Sequence, residues 1–361
     1  MHRLPLTRSF RFTLRTMLIG IVVLGVLFLP LSQAVRDARR QKNAVAWICG
    51  NGGEVWYDYQ HDENDHFPRR DAQPPGPKWL RQWLGVDYFA TVARVHVVGV
   101  SQLGPVTEIP KLRFLTLHRT QVADLSALAM MTSLEQLNVF DDTISDLSPI
   151  SRLPKLSYLQ LAGARIVDVS PLANLKSLEV LRLGGTHVTD ISPVETLTGL
   201  KVLLVPREAA DLSPVAHLTR LEELYLIDGP QDPELSPLAS LNRLWCLTLV
   251  RIGLTDLSCI AHLTDLDQLY LDGNSITDLS ALANLKNLRI LRLGQNPITD
   301  LSPLIGLSRL EGLDVSVTTV TDLSPLTKMY QLRWIGIAGG SVSAQEVADF
   351  RRSPPTCNII Q

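Results

Sequence analysis

The sequence predicts an α/β repeat solenoid preceded by one transmembrane helix. Three observations carry that expectation. An acidic residue followed by Leu, Ile or Val and then Ser recurs ten times, 21 to 23 residues apart. Each interval holds one short alternating strand and one helix start. Ahead of the repeats, the fifteen residues 17–31 carry no charge and nothing more polar than glycine, with basic residues at both ends.

The acidic positions are Asp124, Asp146, Asp168, Asp190, Asp211, Glu234, Asp256, Asp278, Asp300 and Asp322. Seven of the nine intervals are 22 residues, one is 21 and one is 23. Self-similarity at a fixed period of this length marks stacked supersecondary units. It leaves little room for a conventional multidomain enzyme.

A clean unit reads Leu282-x-x-Leu285-x-x-Leu288-x-x-Leu291-x-Leu293-x-x-Asn296-x-Ile298-x-Asp300-Leu301-Ser302-Pro303-Leu304. Leu291-x-Leu293 alternates as a strand with one face buried. Asn296 can bond backbone groups where the chain turns. Ser302-Pro303 reads as a helix start, with serine as N-cap and proline at the first helical position. Asp300, two residues earlier, accepts backbone N–H groups at that corner. One coil cannot bury its own leucines, whereas stacked coils can. Eleven strand cores follow, from Leu115–Leu117 through Leu203–Val205 and Leu224–Leu226 to Ile335–Ile337. The two irregular intervals fall after strands, in loops 206–210 and 229–233. These are either a recognition site or drift in exposed loops.

This pattern resembles the leucine-rich-repeat family, and the Thr-Asp-Leu-Ser-Pro-Leu units over 112–342 are similar to the internalin type. The resemblance implies a curved array, with parallel strands on the concave face and short 3₁₀ or helical segments on the convex face. The turn asparagine is present at Asn274 and Asn296. It is replaced by Thr120, Asp142, Ala164, Thr186, Ile252 and Thr318, so an incomplete internal hydrogen-bond ladder is expected.

Composition excludes other classes. The chain has 361 residues, 45% hydrophobic and 19% charged, which rules out wholesale disorder. Four cysteines without a C-x-x-C pair rule out a disulfide scaffold. The net charge of −2 conceals two unlike parts: residues 1–42 carry +7 and the remainder −9. An acidic body argues against nucleic acid as a partner.

Residues 17–35 have the length of a bilayer span. Two readings stay open. One is an uncleaved anchor after a basic tail, 1–16. The other is a signal peptide cleaved near Ala34, giving a secreted form. The basic cluster from Arg36 to Lys42 resists translocation and favours the anchor. Each flank carries four Lys or Arg, so the positive-inside count does not orient the chain. The expectation is a single-pass membrane protein with its repeats on the outer side.

The open ends of the array need covers. At the front, 36–111 forms a juxtamembrane and capping region. It comprises a helix at 43–49 stopped by glycines, a strand over 54–59, a solvated loop at 61–77 and a helix over 77–91. Trp79, Leu80, Trp83 and Leu84 are that last helix's apolar stripe, and Val95–Val97 is a strand. At the back, 343–361 is a cap containing a helix at 343–352. The order of anchor, helix, Gly-Gly, Tyr-Asp-Tyr strand, Trp-Leu-Arg helix and repeats is similar to that of single-pass leucine-rich-repeat proteins of planctomycete bacteria.

No phosphate loop or nucleophile elbow is present. His61 and His66 beside Asp62, Glu63 and Asp65 read as a solvated acidic loop, not a metal centre. Neither cofactor nor metal is expected, and no catalysis. The outward strand positions are what remains, and exposed Tyr and Arg are enriched in binding hot spots. By the family analogy the candidate ligand face comprises Gln160, Arg182, Tyr225, Tyr270, Arg292 and Asp314. Phe114, Phe140, Tyr158, Ile290 and Trp334 neighbour them. The expected function is a membrane-anchored binding module for a protein or cell-surface polymer. The alternative is a structural spacer of the envelope without a specific ligand.

Overall fold

The structure, a computed structural model, describes residues 14–60, 69, 71–163, 165–352 and 357–361, and the side chains of 14–28, 30 and 31 lie outside that description. The chain opens with helix α1, Leu14–Gly50, and strand β1, Glu54–Tyr57. Helix α2, Lys78–Leu84, and strand β2, Val92–Val98, complete the front cap. A one-turn helix α3, Gly104–Thr107, leads to the array.

The repeat strands are β3 Phe114–His118, β4 Gln136–Phe140, β5 Tyr158–Ala162, β6 Val180–Arg182, β7 Val202–Leu204 and β8 Glu223–Ile227. They continue as β9 Cys246–Val250, β10 Gln268–Tyr270, β11 Ile290–Arg292, β12 Gly312–Asp314 and β13 Trp334–Gly336. Helix α4, Ala344–Arg352, and strand β14, Asn358–Ile360, close the back. All fourteen strands form one sheet in sequence order. β1 pairs antiparallel to β2, and every later neighbour is parallel. The register is one coil per strand, Leu269 opposite Leu247 and Leu291. A two-residue hairpin cannot make a parallel pair: each crossover from β3 to β13 runs through one 3₁₀ turn, while α3 joins β2 to β3 and α4 joins β13 to β14.

The core is a continuous column of inward leucines. Leu159, Leu181, Leu203, Leu224, Leu247, Leu269 and Leu291 are at most 1% exposed. Each such side chain removed from water contributes about 1.5–3 kcal/mol, and neighbouring coils supply the walls.

The corners correct one sequence expectation. Serine is not the cap: Ser302 is the first residue of its 3₁₀ turn, Leu301 precedes it, and no side-chain cap bond is made. The carboxylate two residues earlier does that work. Asp300 accepts the Ser302 N–H at 2.8 Å. The same bond recurs at all ten corners, from Asp124 to Asp322, at 2.7–2.9 Å.

The turn ladder varies as the residues do. Asn296 Oδ1 accepts the Ile276 N–H at 3.1 Å, and its Nδ2 donates to the Leu271 and Leu293 carbonyls at 2.9 and 3.0 Å. Thr318 reaches only the Val315 carbonyl, at 2.7 Å. In the second coil the buried residue is Asp141, not Asp142. Asp141 accepts from the Thr120 hydroxyl, whereas Asp142 is exposed. A position-by-position alignment of the repeats misses this one-residue slip.

The front cap departs further. The 43–49 helix is the end of α1, which runs unbroken for 37 residues. Ala38, Gln41, Ala44 and Ile48 form its buried face. The strand expected over 54–59 ends at Tyr57, in a 3₁₀ turn. The helix expected over 77–91 stops at Leu84, because Gly85 takes φ 98°. Its stripe does not pack as expected: Trp79 is 69% exposed and Trp83 78%, while Leu80 and Leu84 are partly buried. The expected anchor over 17–35 is helical as part of α1, but most of its side chains lie outside the described residues. Among the described residues no helix is long and apolar enough to cross a membrane.

Two outcomes follow. Asn296→Ala removes one acceptor and two donors from a site 3% exposed, and lowers the unfolding free energy by about 2–4 kcal/mol. Thr318→Val costs about 1 kcal/mol. Urea denaturation checks both, and equal costs contradict the ladder account. Separately, bonds from the following serine hold seven corner carboxyls below the usual carboxylate range. A depressed folded pKa gives stability that is present above the unfolded value and lost as pH falls. The melting temperature therefore drops below about pH 4, and Asp190→Asn makes that drop shallower. An acid profile unmoved by the substitution contradicts the assignment.

Candidate concave-face binding site

Strand alternation sends Leu115 and Leu117 inward and leaves Phe114, Thr116 and His118 on the other face. Parallel register then stacks each outward position into a column across the sheet. The candidate residues share the central column: Gln160 in β5, Arg182 in β6, Tyr225 in β8, Tyr270 in β10, Arg292 in β11 and Asp314 in β12. Arg292 is exposed and the others are half-buried.

These residues fall into two contact groups with Tyr270 between them. In the first, the Arg182 guanidinium lies 5.7 Å from the Tyr225 ring centroid, across β7. The Tyr225 hydroxyl donates to Glu223 at 2.5 Å, and the Cys246 thiol meets that hydroxyl at 3.9 Å. Burial and the Glu223 carboxylate push the Tyr225 hydroxyl far above its ordinary pKa, so it stays protonated. Burial raises the Cys246 thiol to about 11. In the second, Arg292 bonds Asp314 at 3.1 Å and approaches Asp272 at 3.7 Å. Burial raises Asp272, with Arg292 opposing. Tyr270 donates to Gln268 at 2.8 Å. Gln160 accepts from Tyr158 at 3.2 Å.

Sequence reasoning missed the partners that fix these side chains: Glu223, Cys246, Gln268 and Asp272. The signal was available. Glu223 and Gln268 stand two residues before Tyr225 and Tyr270, and so occupy the adjacent outward column. A second cluster at the front was missed as a unit. Arg94 and Arg113 lie over the Phe114 ring at 4.8 and 5.0 Å. His96, His118 and Phe140 continue it, with successive centroids 6.0 and 6.1 Å apart. Burial and the neighbouring His118 lower the His96 pKa.

Two buried polar atoms on this face lack a hydrogen-bond partner, Arg182 Nε and Asn138 Oδ1. An unmet buried group costs about 1–3 kcal/mol.

The irregular loops do not form a ligand cavity. Pro206, Ala209, Pro230 and Pro233 close on a crevice of about 10 Å³, room for one water at most. Among the described residues no group of three or more His, Cys, Asp or Glu can hold a metal. His61, His66, Asp62, Glu63 and Asp65 lie outside the described residues. The four cysteines are free thiols.

The thiol environments give a direct check. Cys246 is buried with a raised pKa and Cys49 is exposed. At pH near 8, where a thiol of pKa about 11 is almost wholly protonated, iodoacetamide labels Cys49 and spares Cys246 until the fold opens. Peptide mass mapping reads this, and equal labelling rates contradict the packing described.

Comparison with known proteins matches this geometry. The family described as leucine-rich repeats in two copies matches residues 286–328. An internalin of Listeria monocytogenes superposes with a TM-score of 0.64 at 29% identity, covering 74% of this chain and 82% of its own. A leucine-rich-repeat protein of Leptospira interrogans has a TM-score of 0.52 at 19% identity, covering 80% and 93%, and shares the fold. No curated protein matches the sequence. The chain is a leucine-rich-repeat protein with internalin-like repeats.

Proposed function

We propose that the chain is a membrane-anchored binding module that captures another protein on its concave face and performs no catalysis. The observation that carries this is the unmet Nε of Arg182, buried beside the Tyr225 ring on the concave sheet. A buried donor without a protein acceptor is a cost that calls for an explanation. A partner carboxylate or carbonyl removes that cost on binding.

The surrounding side chains are already held in place. Tyr225 is tied to Glu223, Tyr270 to Gln268 and Arg292 to Asp314. Prior fixing reduces the entropy lost on association. Tyr and Arg are the residues that most often carry interface energy. The likeness to an internalin supports a binding module in general. Anchoring rests on the apolar run 17–31 between basic clusters, and we place the repeats outside the cytoplasm.

Replacing Tyr225, Tyr270 and Arg292 together with alanine abolishes saturable capture from an envelope extract while circular dichroism stays unchanged. Arg182→Leu weakens capture yet leaves the unfolding free energy within about 1 kcal/mol of the parent, since the lost ring contact and the relieved Nε offset. Full capture by the folded triple variant removes the concave-face assignment. Protease added to intact cells cuts the repeats, and protection of the repeats contradicts the outward placement.

A further inference from the structure

We propose that the solenoid lies along the membrane that holds its anchor, with the side on which its strands begin facing anionic lipid headgroups. This rests on the anchor reading above.

The first support is direction. Gln41 of α1 donates to the Ala90 carbonyl and accepts the Val92 N–H, at 2.8 and 2.9 Å. Seven residues later, Ile48 accepts the Gly53 N–H at 2.9 Å, and the adjoining Glu54 pairs with His96. Advancing along α1 therefore advances along β2. The N-terminal half of α1 leaves the cap on the side where the parallel strands begin. From Gln41 back to Leu31 is ten residues of unbroken helix, about 15 Å. The headgroup layer takes up about 5–7 Å of that. Extended Lys and Arg side chains cross much of the remainder, within a Debye length of about 8 Å.

The second support is charge. The six-residue segments that lead into β3 to β13 carry thirteen Lys or Arg and seven Asp or Glu, net +6. The segments that leave β3 to β12, through the corner carboxylates, carry four Lys or Arg and sixteen Asp or Glu, net −12. Lys201, Arg220, Arg243, Lys286 and Arg309 belong to the basic side. The body's negative charge is thus gathered on the far side, and the side nearest the bilayer has the sign that anionic lipids attract.

The third support is aromatic. All four exposed aromatic side chains among the described residues lie on this same side. Trp245 and Tyr330 stand in segments leading into strands. Trp79 and Trp83 stand on α2, whose end at Gly85 lies beside Lys42 of α1. Trp and Tyr concentrate at membrane interfaces. Parallel register puts the starts of β2 to β13 along one edge of the sheet, so they form one continuous side that a bilayer can meet.

The test uses the full chain in vesicles of phosphatidylcholine with phosphatidylglycerol, with brominated phosphatidylcholine as quencher. Trp245 sits seven strands beyond β2, so its emission, read as parent minus Trp245→Phe, reports the far part of the array. The expected result is quenching of that component. Pure phosphatidylcholine, about 1 M salt, or the triple variant Lys201→Glu, Arg220→Glu, Arg243→Glu each abolish it, while Trp79 and Trp83 stay quenched. Salt requires no substitution, so a misfolded variant leaves the test intact. A chain that co-floats with vesicles while Trp245 stays unquenched overturns this inference and leaves the anchor standing. Failure to co-float overturns the anchor reading and this inference with it.

Discussion

A single coil of this chain has nowhere to put its leucines. Leu269, fully buried, is walled by Leu247 before it and Leu291 after it, and those walls come from neighbours 22 residues away. Every other feature follows from that dependence. Parallel pairing is forced because each coil repeats the same handed path. The corner carboxylates exist because ten turns per molecule each leave a serine N–H unpaired, and one acceptor two residues earlier satisfies it. The ends need caps because the first and last coils lack one wall. At the front that wall is α1, through Ala44 and Ile48. At the back it is α4, through Val347 and Phe350.

Because α1 is both wall and lever, the cap has a consequence beyond stability. Under the proposed anchoring, a flexible linker ahead of the repeats would let the solenoid tumble over the membrane. Gln41, 2% exposed and bonded at both ends of its amide, removes that freedom. The direction in which the strands point is then coupled to the direction of α1. Charge and aromatic residues are sorted by the same geometry: basic and aromatic where strands begin, acidic where they end. The concave face stands at right angles to both sides and stays open to a partner.

Much of this was legible in the sequence. A fixed period with alternating leucines leaves one solution, and it located all eleven repeat strands and the role of the corner acids. The outward column was legible for the same reason, since alternation decides which side a strand residue takes. What escaped did so for physical causes. Trp79 and Trp83 have helical spacing, but spacing says that a face is apolar, not that anything covers it. The continuity of α1 was hidden by the polar stretch between Ser32 and Lys42, where a helix in solvent needs no apolar stripe. Asp141 replaced Asp142 because a carboxylate one position early can still reach the Thr120 hydroxyl. The outward column of Glu223 and Gln268 was legible, but their contacts, and that of Asp272, were not, because contact between columns depends on side-chain reach, which the period does not encode.

Residue-resolved native-state hydrogen exchange tests the central dependence most directly. The account has the strand amides of β2 to β13, the corner serine amides and the buried face of α1 around Ala44 to Ile48 opening together. They should show one shared protection free energy under conditions where exchange reports global unfolding. Early, separate exchange of α1 amides, or a break in protection at the irregular coils after Leu203 and Leu224, would contradict it. The array would then be independent blocks, and its front wall a detachable helix.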